Sequence, residues 1–147
     1  MAGWTNKGKF RMLDWVFRAT AAPTNFYVAL VTSATAPVAD TNTKSQLTEL
    51  TQQYGYTTGG ISLTKNSTDF DVLTEDDAND KALIQIKDLV WTASGGSIGA
   101  ARYAVLTDDN GTQGSREVLV FWDLTSDRTV STGQTLTLQN CEMDLTE

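Results

Sequence analysis

Hydrophobic and polar residues alternate in short runs along most of the chain, which is the pattern of half-buried strands. Asn, Asp, Gly and Ser residues separate these runs, as expected for turns between strands. The clearest runs are Asn25–Thr32, Gly60–Lys65, Ala82–Trp91, Arg102–Thr107, Glu117–Leu124, Thr135–Leu138 and Cys141–Leu145. Seven strands at this spacing predict a mainly β fold, either an antiparallel β-sandwich or a jelly-roll-like barrel.

Two places in this pattern change phase, and one connection is typical of a hairpin. The alternation in Ala82–Trp91 shifts after Ile86, which predicts a β-bulge near Lys87–Asp88. A second shift predicts a bulge near Gln139–Asn140. Asp108–Gly111 ends in Asn-Gly, a pair that accepts positive φ, and this favours a hairpin between its flanking strands.

Helical spacing is strongest near the start of the chain. Phe10, Leu13 and Phe17 recur at i, i+3 and i+7, which predicts a short helix over Lys7–Ala19. The apolar residues cover so much of this helix that a single core need not bury them all. We therefore divide the chain into a helical, basic docking segment at 1–20 and a single β domain at 21–147. A small additional helix is predicted at Ser45–Tyr54.

Charge separates the same two regions. The 147-residue chain has 11 basic and 18 acidic residues, a net charge of −7, yet residues 1–20 hold four basic residues and one acid. An acidic protein is a poor match for nucleic acid, and no apolar run is long enough to span a membrane. The basic, aromatic segment predicts contact with a partner, while the alternative is that its helix only caps its own core. The candidate contact residues are Trp4, Lys7, Lys9, Phe10, Arg11, Trp15 and Arg18.

The residue types argue against catalysis. The chain contains no histidine and a single cysteine, Cys141, which removes the common nucleophile–histidine pairs and zinc clusters. We expect no enzyme activity, no cofactor and no metal. Two alternatives remain: a hydrolase that uses only carboxylates, and Ca²⁺ binding by the acidic run Asp69–Asp80. A solvated loop is the simpler interpretation of that run.

Several stretches spread over the whole chain carry packing and turn motifs. They are GWTNKGKFRMLDWVFR, NFYVALVT, GYTTGG, TDFDVLTEDDANDKALIQIKDLVWTASGG, ARYAVLTDD, REVLVFWDL and GQTLTLQNCEMDLTE. In these motifs the chain resembles a family of small structural proteins from tailed bacteriophages. The motifs specify a fold more than an activity, and no catalytic residue is carried over.

The resemblance implies a role in the virion. It implies first a head decoration (cement) protein on the capsid exterior, which binds and stabilises the shell of the major capsid protein, often as a homotrimer. The partners would then be the major capsid protein or neighbouring virion subunits. The alternative is a tail-tip or tail-fibre module, in which the outer loops Thr64–Asp80 and Thr107–Ser115 would recognise a host receptor.

Overall fold

The computed structural model describes residues 2–146, and these form ten strands, one α-helix and two 3₁₀ turns. The helix is α1 (Asn6–Phe17), and the 3₁₀ turns are Lys44–Gln46 and Gln113–Ser115. The strands are β1 (Ala2–Trp4), β2 (Asn25–Val31), β3 (Ile61–Thr64), β4 (Val72–Asp76), β5 (Lys81–Ile86), β6 (Leu89–Thr92), β7 (Ile98–Thr107), β8 (Val118–Val130), β9 (Thr135–Leu138) and β10 (Cys141–Thr146).

The strands form antiparallel sheets arranged as a β-sandwich. One sheet has five strands in the order β1-β8-β7-β2-β3, a second has the order β10-β5-β4, and a third pairs β6 with β9. The second and third sheets are linked because β5 leads directly into β6 and β9 into β10. The mainly β, antiparallel prediction is confirmed, and within residues 2–146 the sheets form a sandwich-like fold and do not close into a barrel.

Strand β2 is buried on both faces, which explains its nearly continuous apolar sequence. Val28 and Leu30 point into the main core, whereas Ala29 and Val31 join a smaller cluster on the opposite face of the sheet. Leu47, from the long connection after β2, packs against that smaller cluster. The chain between β2 and β3 therefore covers the second face of the five-stranded sheet.

The predicted bulge near Lys87–Asp88 is wrong, because the chain changes sheets there. Ala82–Trp91 is divided between β5, which pairs with β10, and β6, which pairs with β9. The predicted bulge near Gln139–Asn140 is likewise a passage between sheets, and Asn140 has a φ of 53°. A phase shift in alternation has the same sequence signature in both cases, since either event turns the following side chains to the other face.

The acidic run Asp69–Asp80 is only partly a solvated loop. Its middle forms β4, which pairs with β5 and adds a strand that the alternation did not predict. Asp69 is buried, accepts a hydrogen bond from the Thr64 amide at 2.7 Å and forms an ion pair with Lys87. Those two contacts hold the pKa of Asp69 below its usual value.

The small additional helix is the 3₁₀ turn Lys44–Gln46, which ends well before Tyr54. The following chain is extended because Leu50 donates its amide hydrogen to the carbonyl of Leu30 at 3.0 Å. A buried ion pair fixes this segment: the Lys44 ammonium lies 2.6 Å from a carboxylate oxygen of Glu49.

Candidate docking site

Helix α1 begins at a point fixed to strand β8. Thr5 caps the helix by accepting a hydrogen bond from the Gly8 amide at 2.9 Å, and its hydroxyl donates to the carbonyl of Val118 at 2.5 Å. Its own amide donates to the carbonyl of Leu119 at 3.0 Å. At Gly8 the helix backbone touches the strand so closely that an added Cβ would lie 2.1 Å from the Leu119 carbonyl oxygen. The first turn of the helix is therefore locked in place.

One side of α1 packs inward. Trp15 meets the ring of Phe26 edge-on, with 6.1 Å between ring centroids. Arg11 binds Glu117, which immediately precedes β8, through two nitrogens at 2.5 and 2.9 Å. This ion pair lowers the pKa of Glu117, and Lys7 adds a weaker contact at 3.6 Å.

The other side of α1 is an apolar surface open to solvent. Its four large side chains are 56% to 77% exposed, and we call this set the outer stripe: Phe10, Leu13, Val16 and Phe17. The i, i+3, i+7 spacing predicted the helix correctly, but three residues of that spacing belong to the stripe and face away from the core. The helix caps its own core with one side and leaves the other side uncovered.

A groove lies between α1 and the β10-β5-β4 sheet. Its volume is about 650 Å³ and its lining is almost entirely apolar. Aromatic and aliphatic side chains line it, including Phe26, Phe70 and Met143. Val16 of the outer stripe also lines the groove, as do Leu73 and Leu145, which are 77% and 54% exposed. The groove and the stripe are thus one apolar surface shared by α1, β4 and β10.

Acidic side chains lie beside this surface. A shallow hollow next to the groove shares Ala82 and Leu145 with it. We call its carboxylates the acidic rim: Glu75, Asp76, Asp77 and Asp80, with Lys81 among them. Within residues 2–146 none of these acids forms an ion pair, so the rim presents negative charge to solvent.

The predicted contact residues have different environments. Lys9, Phe10 and Arg18 are exposed. Lys7 and Arg11 are ion-paired to Glu117, and Trp15 packs inward. Trp4 belongs to β1, where its indole nitrogen donates to the Asp144 carbonyl at 2.8 Å. Residues 1–20 are therefore tied into the main sheet at their beginning, and the contact role of the seven residues stays a prediction.

The sequence reasoning missed Leu73 and Leu145 as parts of this surface. Leu73 lies inside the acidic run, where the density of carboxylates predicts a loop although Val72–Thr74 favour a strand. Leu145 belongs to the alternating run Cys141–Leu145, which extends past the edge of the core, so Leu145 is 54% exposed. The signal was present in both cases as an apolar residue among acids.

Comparison of the chain with protein-family models, with curated proteins and with solved structures gives no match. Over residues 2–146, no three Cys, Asp or Glu side chains are grouped so that they could hold a metal ion. The single helix of that region is too short and too polar to cross a membrane.

Proposed function

We propose that this protein is a structural component of a tailed-phage virion, most specifically a head decoration protein that binds and stabilises the shell of the major capsid protein. Its docking element is the outer stripe of α1. It acts as a non-enzymatic protein on the exterior of the particle, and it works as a homo-oligomer, with a trimer favoured.

The exposed outer stripe is the observation that carries this proposal. Covering a Phe or Leu side chain that water now surrounds is worth roughly 1.5–3 kcal/mol. Surfaces of this kind, with charged residues at their edge, are typical of protein interaction sites. Because Thr5 and Gly8 hold the helix against β8, the stripe is presented without any rearrangement of the domain.

The resemblance to phage structural proteins selects the virion among the assemblies that such a surface would fit. The tail or fibre alternative places receptor binding in the loops Thr64–Asp80 and Thr107–Ser115. Phe70 is the one aromatic residue of those loops, and it packs edge-on against Phe26 at 5.7 Å between ring centroids. The aromatic surface open to a partner lies instead on α1, which favours the decoration role.

The copy number of this chain per particle tests the proposal. We would measure it by quantitative mass spectrometry of purified virions, with the major capsid protein as the internal reference. A number comparable to the capsid protein supports shell decoration. A handful of copies overturns decoration in favour of the tail or fibre role, and absence from the particle overturns both.

A second experiment links the role to α1. Undecorated capsids would be mixed with the wild-type protein, with the Leu13→Ser variant, or with Val90→Ser as a matched change at a half-exposed site on β6. We expect Leu13→Ser to reduce capsid binding at least tenfold, because interface anchors each contribute about 2 kcal/mol or more. Equal binding by all three proteins would overturn the assignment of α1.

A further inference from the structure

We propose that the groove accepts a second copy of this chain, with Phe17 of one copy seated in the apolar groove of the next and Arg18 against its acidic rim. This inference deepens the proposed function and rests on its view of α1 as a docking element. It names the partner at that surface as the protein itself.

The C-terminal end of α1 presents an exposed aromatic side chain followed by a cation, and we call this pair the anchor. Phe17 is the last helical residue and is 77% exposed, the largest value on the outer stripe. Arg18 follows directly, and within the described residues neither it nor Lys9 takes part in an ion pair. A projecting aromatic ring followed by an unpaired cation is complementary to an apolar recess with negative charge beside it.

The groove and its rim supply that combination. The groove is mostly apolar, although Lys65 also lines it, and it is bordered by Trp15, Phe26 and Phe70. At about 650 Å³ it is large enough for several side chains. The acidic rim adjoins it through Ala82 and Leu145. The anchor and its recess are therefore complementary in both hydrophobicity and charge, and the same chain carries both.

Charge also decides against direct packing of α1 on α1. An antiparallel helix pair would bring Lys9 of one copy toward Arg18 of the other, at both ends of the contact. Like charges brought together at an interface are costly, whereas Arg18 on the acidic rim pairs opposite charges. The favoured contact is therefore helix end to groove. Contacts of this type are exchanged reciprocally between two copies, or repeated around a ring where the rotation closes and along a filament where it does not. A trimeric ring matches the oligomer favoured above.

The mass of the purified protein in solution tests the inference. Size-exclusion chromatography with light scattering, over a range of protein concentrations, should give two or three times the chain mass of 16.0 kDa. Phe17→Asp should weaken self-association at least tenfold, as expected for loss of a central aromatic anchor. The control Val90→Asp, which introduces the same charge at a half-exposed site outside the groove, should leave it unchanged.

Charge exchange identifies the rim as the recipient of Arg18. Arg18→Glu and the pair Asp77→Lys with Asp80→Lys should each weaken association, and the effect should shrink at high salt. Combining all three changes in one chain should restore association, because the reversed charges again face each other. Failure of the combination to restore it would overturn the helix-end contact.

The outcomes separate this inference from the proposed function. A wild-type protein that remains at 16.0 kDa at every concentration overturns self-association. The homo-oligomer part of the proposed function would fall with it. The copy number in virions and the binding of capsids by the wild type and Leu13→Ser would still decide the decoration role, because neither measurement reports contact between copies.

Discussion

The two sides of helix α1 differ in what they do for the protein. The inner side is joined to the β domain by a capping threonine, a glycine pressed against a strand carbonyl, a tryptophan on the core and a two-point ion pair. The outer side holds four large apolar side chains, and within residues 2–146 they remain 56% to 77% exposed. A helix so firmly attached by one side does not need the other side for folding. The outer stripe therefore points to a contact beyond the domain.

The largest expected effect is at the closest approach between α1 and β8. Gly8→Ala places a methyl group where the Leu119 carbonyl oxygen lies, so the helix must move away from the strand. We expect a loss of about 3 kcal/mol in the free energy of unfolding, measured by urea denaturation. Gly111→Ala is the matched control, since an added Cβ there has no neighbour within 4 Å. Equal stability of the two variants would contradict the tight attachment of the helix.

The attachment of the inner side of α1 should also depend on the contact between Trp15 and Phe26. Trp15→Ala removes a partly buried ring from Phe26 and leaves a space beside the core. Truncating a fully buried tryptophan to alanine costs about 3–5 kcal/mol, so truncating the partly exposed Trp15 should cost about 2–3 kcal/mol. Thermal unfolding followed by circular dichroism gives the value. A loss under 1 kcal/mol would mean that the packing of α1 contributes little.

The Arg11–Glu117 ion pair gives the inner side a dependence on pH. The pKa of Glu117 is lower in the folded protein than its ordinary value of about 4.3, so the pair stabilises the fold above that value. The contribution is lost as the pH falls through the folded pKa. At pH 7, Glu117→Gln should be less stable than wild type by about 1 kcal/mol.

Urea denaturation of both proteins between pH 7 and pH 3 measures this difference. The two unfolding midpoints should approach each other as the pH falls, because protonation of Glu117 in the wild type removes the ion pair. A difference that stays constant over the whole range would show that the carboxylate charge is not responsible.

The smallest effect on stability is expected on the outer stripe. Leu13→Ser and Phe10→Ser change exposed positions, where substitutions usually shift the free energy of unfolding by no more than about 0.5 kcal/mol. Differential scanning calorimetry of the isolated variants should show nearly unchanged transitions. A loss above 2 kcal/mol at low protein concentration would mean that the stripe supports the domain itself.

Alternation of apolar and polar residues predicted the mainly β class, because successive side chains of a strand point to opposite faces, one buried and one exposed. It did not predict which side of α1 faces the core. Phe10, Leu13 and Phe17 have the more regular apolar spacing, yet the contact with β8 is made at Gly8, whose missing side chain allows close approach. A glycine carries no hydrophobic signal, so only the tertiary contact identifies the inner side.

The same limit applies to the sheets. The phase change after Ile86 was visible, but whether a strand bulges or passes to another sheet depends on its partners, here β10 and β9. For the same reason, the sequence predicted only one of the two parts of the candidate site. Its helix came from local spacing, whereas its groove needs β4 and β10 side by side with β5, a long-range arrangement that the sequence pattern does not encode.

Labelling of a cysteine placed on the outer stripe tests most directly whether another subunit covers it. The natural Cys141 should react little with the label, because it is buried and burial raises the pKa of its thiol to about 12. A maleimide would be applied to the Leu13→Cys variant both as isolated protein and in assembled particles, beside a Val90→Cys control at the half-exposed site on β6.

The account predicts rapid labelling at position 13 in dilute isolated protein and protection in the particle, with the control labelled in both states. Equal labelling at position 13 in both states would contradict the claim that α1 docks through its outer side.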